Sequence, residues 1–262
     1  MTRGVVLFAF NSDTVNYYDT AVFCAKRIDY FLNLPVTLIT DTKSLPETVS
    51  DIFQNVITVE AQSDNQKSTG QWINKGRYRA YELTPYDETL VLDTDYIVNS
   101  DQLNNIFDIY DDFMCAKTAE YLMFTDTPRE IISNNSFDCP WATVMAFKKT
   151  HKAKQIFECI QMIQENYIHY SNLYGFVAMP YRNDYALAIA LHIVYGGLVD
   201  NSVYMPWNLI HVNERVKMYR VGTGMDTNFV ATKQNKRTEY IKIKNTDFHM
   251  LFKPNFIEIV NG

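Results

Sequence analysis

The four cysteines, Cys24, Cys115, Cys139 and Cys159, are too widely spaced to form a C-x-x-C pair or a dense disulfide framework. The expectation is free, buried thiols in a reducing compartment. No uncharged apolar run approaches the ~18 residues of a membrane span. The nearest candidate, 185–199, is broken by His192, Gly196 and Gly197 and reads as a buried amphipathic helix. The apolar run Val5 to Phe10 is shorter than a signal-peptide core and has no small-residue cleavage site after it. A soluble, cytoplasmic protein is expected. Also missing are the phosphate loop G-x-x-x-x-G-K-[ST] and the nucleophile elbow G-x-S-x-G. Gly222-Thr223-Gly224 lacks the third glycine and the helix of a dinucleotide fingerprint.

What is present is an ordinary globular composition, 47% hydrophobic and 21% charged, with a net charge of −6. That total conceals an asymmetry. Residues 209–262 hold nine basic and five acidic side chains, while the first 208 hold 15 and 25. Overall acidity disfavours a generic nucleic-acid binder, yet the basic final segment leaves room for an anionic ligand.

Short apolar runs alternate with helical spacing through the first hundred residues. Gly4–Phe10, Val36–Thr40, Val56–Val59 and Thr89–Leu92 read as strands, and 14–33 and Trp72–Leu83 as helices. A polar loop, Gln62–Gly70, lies between. Such alternation implies parallel β-α-β units in a Rossmann-like sheet, hence an α/β fold. Phe113–Lys117, Trp141–Phe147 and Lys236–Lys244 read as further strands, and 149–168 and 183–195 as helices. No repeat or linker divides the chain. The simplest organisation is one domain in which 1–208 forms the main α/β region and 209–262 completes its site.

The chemistry concentrates at Asp93-Thr94-Asp95, directly after Leu90-Val91-Leu92. In a chain with 19 aspartates a D-x-D triplet is unremarkable alone. Its place at the carboxyl end of a strand, where open parallel sheets bind ligands, gives it weight. Two hard carboxylates there suit one Mn²⁺ or Mg²⁺ bridging diphosphate oxygens; a helix cap or turn is the competing reading. Lys75 and Arg79, four apart on the expected helix, share a face and suit a diphosphate, or else form a solvated surface.

The stretch Asn74-Lys75-Gly76-Arg77-Tyr78-Arg79-Ala80-Tyr81-Glu82-Leu83, followed by Thr89-Leu90-Val91-Leu92-Asp93-Thr94-Asp95-Tyr96-Ile97-Val98, resembles nucleotide-sugar glycosyltransferases of the GT-A fold. It is most similar to the retaining family-8 group, which includes glycogenin and lipopolysaccharide galactosyltransferases. A second match, Asp247-Phe248-His249-Met250-Leu251-Phe252-Lys253-Pro254, is similar to that group's terminal H-F-x-G-x-x-K-P-W element. Here the histidine and lysine are two residues closer together, the glycine is absent, and Asn255 stands where the pattern has tryptophan.

The resemblance implies a mixed, mainly parallel GT-A sheet flanked by helices. It makes His249 the third metal ligand beside Asp93 and Asp95, with His211 in Pro206-Trp207-Asn208-Leu209-Ile210-His211 as its competitor. Lys253 is then the diphosphate contact that assists catalysis. Phe10, Asn11, Tyr18 and Asp41, at or near strand ends, and Thr94 fall where such enzymes hold the nucleotide sugar; core packing competes for the aromatics. Asp184 opens a helix, so it is either an N-cap or a group beside the reacting sugar. Trp141, in Cys139-Pro140-Trp141-Ala142-Thr143-Val144-Met145, offers a flat face to donor or acceptor sugar, or is core.

The expected activity is metal-dependent transfer of a sugar from a UDP-sugar to an acceptor hydroxyl, with retention. Asp184 becomes the base candidate if the outcome is inversion. The acceptor is a carbohydrate or, as in phage enzymes acting on modified cytosines, DNA; the basic stretch Lys233–Lys244 with Tyr240 motivates the latter. A sugar nucleotidyltransferase would open with a Gly-rich, basic loop after the first strand, which Asn11-Ser12-Asp13-Thr14 is not. A non-catalytic nucleotide-binding module is the remaining alternative.

Overall fold

The computed structural model describes residues 1–60, 74–128, 138–175, 180–225, 227–234 and 239–262; the side chain of Lys75 also lies outside it. The expected loop Gln62–Gly70 and the expected helix start at Trp72 fall outside these residues, as does the first part of the expected strand Lys236–Lys244.

The central sheet has six strands: β1 (Arg3–Phe8), β2 (Val36–Asp41), β3 (Asn55–Val59), β4 (Glu88–Leu92), β6 (Phe113–Ala116) and β8 (Trp141–Lys148). Their order is β3-β2-β1-β4-β8-β6. The first four run parallel, and β8 is antiparallel to both β4 and β6. β1, β2 and β4 read as continuous apolar runs because both faces of the sheet are covered. Alternate residues serve the two sides. Val5, Leu7, Leu90 and Leu92 pack toward α1 (Tyr17–Leu32). Val6, Val91, Met145 and Phe147 pack toward α3 (His151–Glu165) and α5 (Asn183–Val194). Two short helices, α2 (Ala80–Leu83) and α4 (Tyr167–Leu173), precede β4 and follow α3.

α1 starts later than the spacing predicted. The Asn16 side chain caps it by accepting from Asp19 N at 3.2 Å. It stops at Asn33, whose left-handed φ of 51° ends the helix before Pro35.

A second sheet stands at the carboxyl edge of the first. It orders β5 (Tyr96–Ile97), β13 (Phe248–Met250), β9 (Leu209–Val212) and β7 (Ala119–Tyr121) as β5-β13-β9-β7. Strands from 1–208 and from 209–262 therefore share one sheet. A three-stranded antiparallel meander, β10 (Val216–Val221), β11 (Asn228–Lys233) and β12 (Tyr240–Ile243), follows, and α6 (Lys253–Asn261) closes the fold.

Arg27 ties these parts together. Fully buried on α1, it donates to Val98 O at 2.7 Å, Asn99 Oδ1 at 2.5 Å and Thr227 Oγ1 at 3.4 Å, and lies 5.1 Å from the Phe229 ring centre. Burial lowers its pKa to about 10. The molecule is thus an α/β protein with mixed, partly parallel sheets flanked by helices. Among the described residues no helix is long and apolar enough to cross a membrane.

Candidate metal centre

β4 ends at Leu92, and the chain turns at once: Tyr96 N donates to Asp93 O, and Asp93 N donates to Thr143 O, both at 3.0 Å. Beyond the turn β5 pairs with β13, setting His249 opposite Tyr96, and Met250 N donates to Asp95 O at 2.9 Å. The turn is pinned between the two sheets, which brings His249 beside the carboxylates.

His249 Nε2 lies 3.2 Å from Asp95 Oδ2 and 3.8 Å from Asp93 Oδ2. One ligand atom from each residue falls within 4.8 Å of the others. Two carboxylate oxygens and one imidazole nitrogen are a fitting donor set for Mn²⁺ or Mg²⁺. Asp95 and His249 are buried, and the Asp93 side chain is 27% exposed.

Two cations neutralise the carboxylates. Lys253 Nζ contacts Asp95 Oδ2 and donates to Met250 O at 3.2 Å. Arg77 Nη1 contacts Asp93 Oδ1, and its Nη2 donates to Thr143 O at 3.4 Å. Burial lowers the Lys253 pKa to about 8, against the opposing pull of Asp93.

Arg77 was not expected here. The stretch Lys75–Arg79 is a 3-10 turn rather than the first turns of an α-helix. Residues three apart align on such a turn, and the expected pairing of Lys75 with Arg79 lies outside the described residues because the Lys75 side chain does. Arg79 lies 3.4 Å from Glu82, and the middle residue of the turn points at the carboxylates.

The centre opens into a cleft of about 570 Å³ whose walls include Phe8, Tyr17, Asn74, Thr94, Arg182 and Leu251. Asn74 Oδ1 is buried with no hydrogen-bond partner among the described residues. Thr94 itself is buried, and its carbonyl accepts from Cys24 Sγ at 2.8 Å.

The other expected nucleotide residues sit apart. Phe10 is buried and lines a small cavity of about 30 Å³ with Phe8 and Ile39. Asn11 is occupied locally: its Oδ1 accepts from Tyr18 N at 3.0 Å and its Nδ2 donates to Ser44 O at 3.3 Å. The Tyr18 hydroxyl accepts from Ser50 N at 2.7 Å, and the neighbouring Tyr17 faces the cleft instead. Asp41 Oδ1 accepts from Ser44 N at 2.8 Å, while its Oδ2 is buried without a partner among the described residues.

Asp184 lies in the first turn of α5 but does not cap it. Its Oδ1 accepts from Ala142 N at 2.9 Å, and its Oδ2 takes Arg182 Nη2 at 2.6 Å. It lines a second cavity, of about 210 Å³, with Tyr121, Trp141, Arg182 and Tyr185. Arg182 is common to both cavities.

Trp141 packs its ring 4.4 Å from that of His211. His211, the rival ligand, is fully buried behind His249, and their Nδ1 atoms are 3.1 Å apart. Burial pushes the His211 pKa down to about 2, helped by His249 and Arg182. The pKa of His249 is lowered by the same cause, with Asp93 opposing. Both rings are neutral near pH 7.

Asn255, where the family pattern has tryptophan, is buried and acts as a backbone substitute. Its Oδ1 accepts from Met218 N at 2.7 Å and its Nδ2 donates to Met218 O at 2.9 Å, anchoring α6 to β10.

No protein-family model matches this chain, and no curated protein matches it at a significant level.

Proposed function

We propose that the protein is a metal-dependent glycosyltransferase of the GT-A type that transfers a sugar from a UDP-sugar or similar nucleotide sugar. The observation that carries the reading is the Asp93, Asp95 and His249 cluster at the carboxyl edge of β4, flanked by Lys253 and Arg77. The family resemblance in sequence and the strand order β3-β2-β1-β4 are consistent with it.

Charge decides what the site prefers. Two carboxylates face two cations, so the pair-by-pair sum is zero. A divalent ion alone would leave the site at +2, and a diphosphate dianion alone at −2. Ion and diphosphate together restore neutrality, so each favours binding of the other. Mn²⁺ or Mg²⁺, held by Asp93, Asp95 and His249, would supply Lewis-acid neutralisation of the departing diphosphate.

Lys253 and Arg77 give fixed positive charge where the leaving group gathers negative charge. Arg182 stands between the two cavities, where donor sugar and acceptor meet. In the second cavity Tyr121, Trp141 and Tyr185 supply flat apolar walls suited to a sugar ring. Both oxygens of Asp184 already accept hydrogen bonds, which suits a group that positions an acceptor hydroxyl rather than one that takes its proton.

A carbohydrate acceptor is favoured over DNA. Part of the basic surplus in 209–262 is matched by acidic residues elsewhere in the chain, Arg215 by Asp126 at 2.9 Å and Lys253 by Asp95, while Lys217 and Lys233 pair within the segment with Glu258 at 3.0 Å and Glu239 at 2.7 Å. Lys236 and Arg237 lie outside the described residues.

The deciding experiment is a panel of UDP-sugars assayed for Mn²⁺-dependent UDP release, in wild type and in Asp93→Asn and Asp95→Asn. The reading requires release that chelation abolishes and both variants lose. Equal release in Asp95→Asn, or in the presence of excess chelator, refutes it.

A further inference from the structure

We propose that His211 is a positioning residue for the metal centre: its Nδ1 accepts the ring proton of His249 and thereby keeps the Nε2 lone pair of His249 turned to the cation. The proposal rests on the metal reading given above.

Two facing Nδ1 atoms 3.1 Å apart form a hydrogen bond only if one carries a proton and the other does not. His249 Nε2 faces Asp95 Oδ2 at 3.2 Å and Asp93 Oδ2 at 3.8 Å, so it is the nitrogen that serves a cation held there. A neutral imidazole ligating through Nε2 carries its proton on Nδ1, and the partner of that proton sets the ring's orientation. The candidates are His211 Nδ1 at 3.1 Å and Thr143 Oγ1 at 3.4 Å. The histidine is nearer and better fixed. β9 and β13 run parallel with His211 directly opposite His249. The Trp141 ring, 4.4 Å away, and the Tyr121 ring, 6.4 Å away, enclose the side chain.

Acceptance by Nδ1 requires the proton of His211 to sit on its Nε2. That atom is buried and has no hydrogen-bond partner among the described residues, so none of them favours the opposite tautomer by donating to a lone pair there. Without a cation the direction reverses. His249 Nε2–H then donates to Asp95 Oδ2, and His211 Nδ1–H donates to His249 Nδ1. With a cation held there, His249 would carry its proton on Nδ1, toward His211, and His211 would carry its own on Nε2. Each ring holds one proton before and after.

Two measurements test this. In the intact protein, titration with Mg²⁺ followed by long-range ¹H–¹⁵N spectroscopy should move His249 to the Nδ1–H form and His211 to the Nε2–H form. In parallel, Mn²⁺ affinity is read from free-ion electron paramagnetic resonance. His211→Phe keeps a ring but removes the acceptor, and should weaken Mn²⁺ binding by about 10–100-fold. His211→Asn, which restores an acceptor oxygen, should recover part of that loss, whereas Thr143→Val should change affinity by less than about threefold. Urea midpoints of the variants establish that they are folded. Wild-type affinity in His211→Phe, a loss in Thr143→Val instead, or a His249 Nδ1 without a proton in the Mg²⁺ form overturns the proposal. Absence of Mn²⁺ binding in wild type itself would defeat the metal reading and the proposal with it, a result distinct from one confined to His211.

Discussion

Replacing Arg77 by methionine tests the charge logic of the site most directly. The change keeps much of the apolar stem and removes the cation that contacts Asp93. Stripping one partner from a fully buried ion pair costs ~3–5 kcal/mol. The Asp93 side chain is 27% exposed and retains some water, so the cost should be nearer ~2 kcal/mol. For a chain of this size that corresponds to a melting temperature about 4–8 °C lower. On the metal reading proposed above the same carboxylate is a ligand, so a cation that fills the vacancy returns what the arginine supplied. If that return is complete, Mn²⁺ binds the variant up to about 30-fold tighter than it binds wild type. Mn²⁺ should therefore raise the melting temperature of the variant more than that of wild type. Binding of UDP should weaken, since one fixed cation has gone. Thermal melts of both proteins with chelator, with Mn²⁺ and with UDP give all three readings. Equal melting temperatures with chelator, or equal Mn²⁺ shifts in the two proteins, would refute the reasoning.

Stability of the chelated protein should fall on mild acidification. His211 and His249 have folded pKa values below the ~6.5 of an unfolded histidine, so their contribution is present above that pH and lost as pH falls. Buried Asp247, raised to about 6, acts in the opposite sense and offsets about one of them. The net slope near pH 5.5 is positive, stability rising with pH, and is measurable as urea midpoints; Asp247→Asn should steepen it, and a flat profile contradicts it. Asn255→Ala leaves the backbone groups of Met218 without their partners and should cost about 2–3 kcal/mol, with a raised KM for donor because α6 carries Lys253. An unchanged urea midpoint would show that those bonds contribute nothing. Gly4→Ala should destabilise by about 1–3 kcal/mol, because a Cβ there would overlap the Tyr86 ring; a variant as stable as wild type would show that Tyr86 moves freely.

The central sheet was legible because β1, β2 and β4 are apolar runs whose character is set locally, and Asp93 and Asp95 inherit their position from the end of such a run. The second sheet was not. β5 and β13 are two and three residues long, too short for a periodic signal, and exist because of each other. Arg77 was missed for a related reason: α-helical spacing around Lys75–Arg79 turned it away from the site, whereas the 3-10 turn that forms there brings it to Asp93. His211 and Asn255 act through partners far away in sequence, at His249 and Met218, and no local pattern reports such pairings.

The pairing of β5 with β13 also sets when this protein can begin to work. Asp247 accepts from Asn99 N across 148 residues, and His249 reaches the carboxylates through the same join. Contacts this distant form slowly, because a long loop must close before any of them is rewarded. The parallel core can assemble while the third ligand is still unplaced. A half-folded molecule would then carry the two aspartates without His249 and, if the proposed activity holds, would spend no sugar donor on water. Ion capture makes a natural clock for the final stage of folding, readable by adding Mn²⁺ at intervals during refolding.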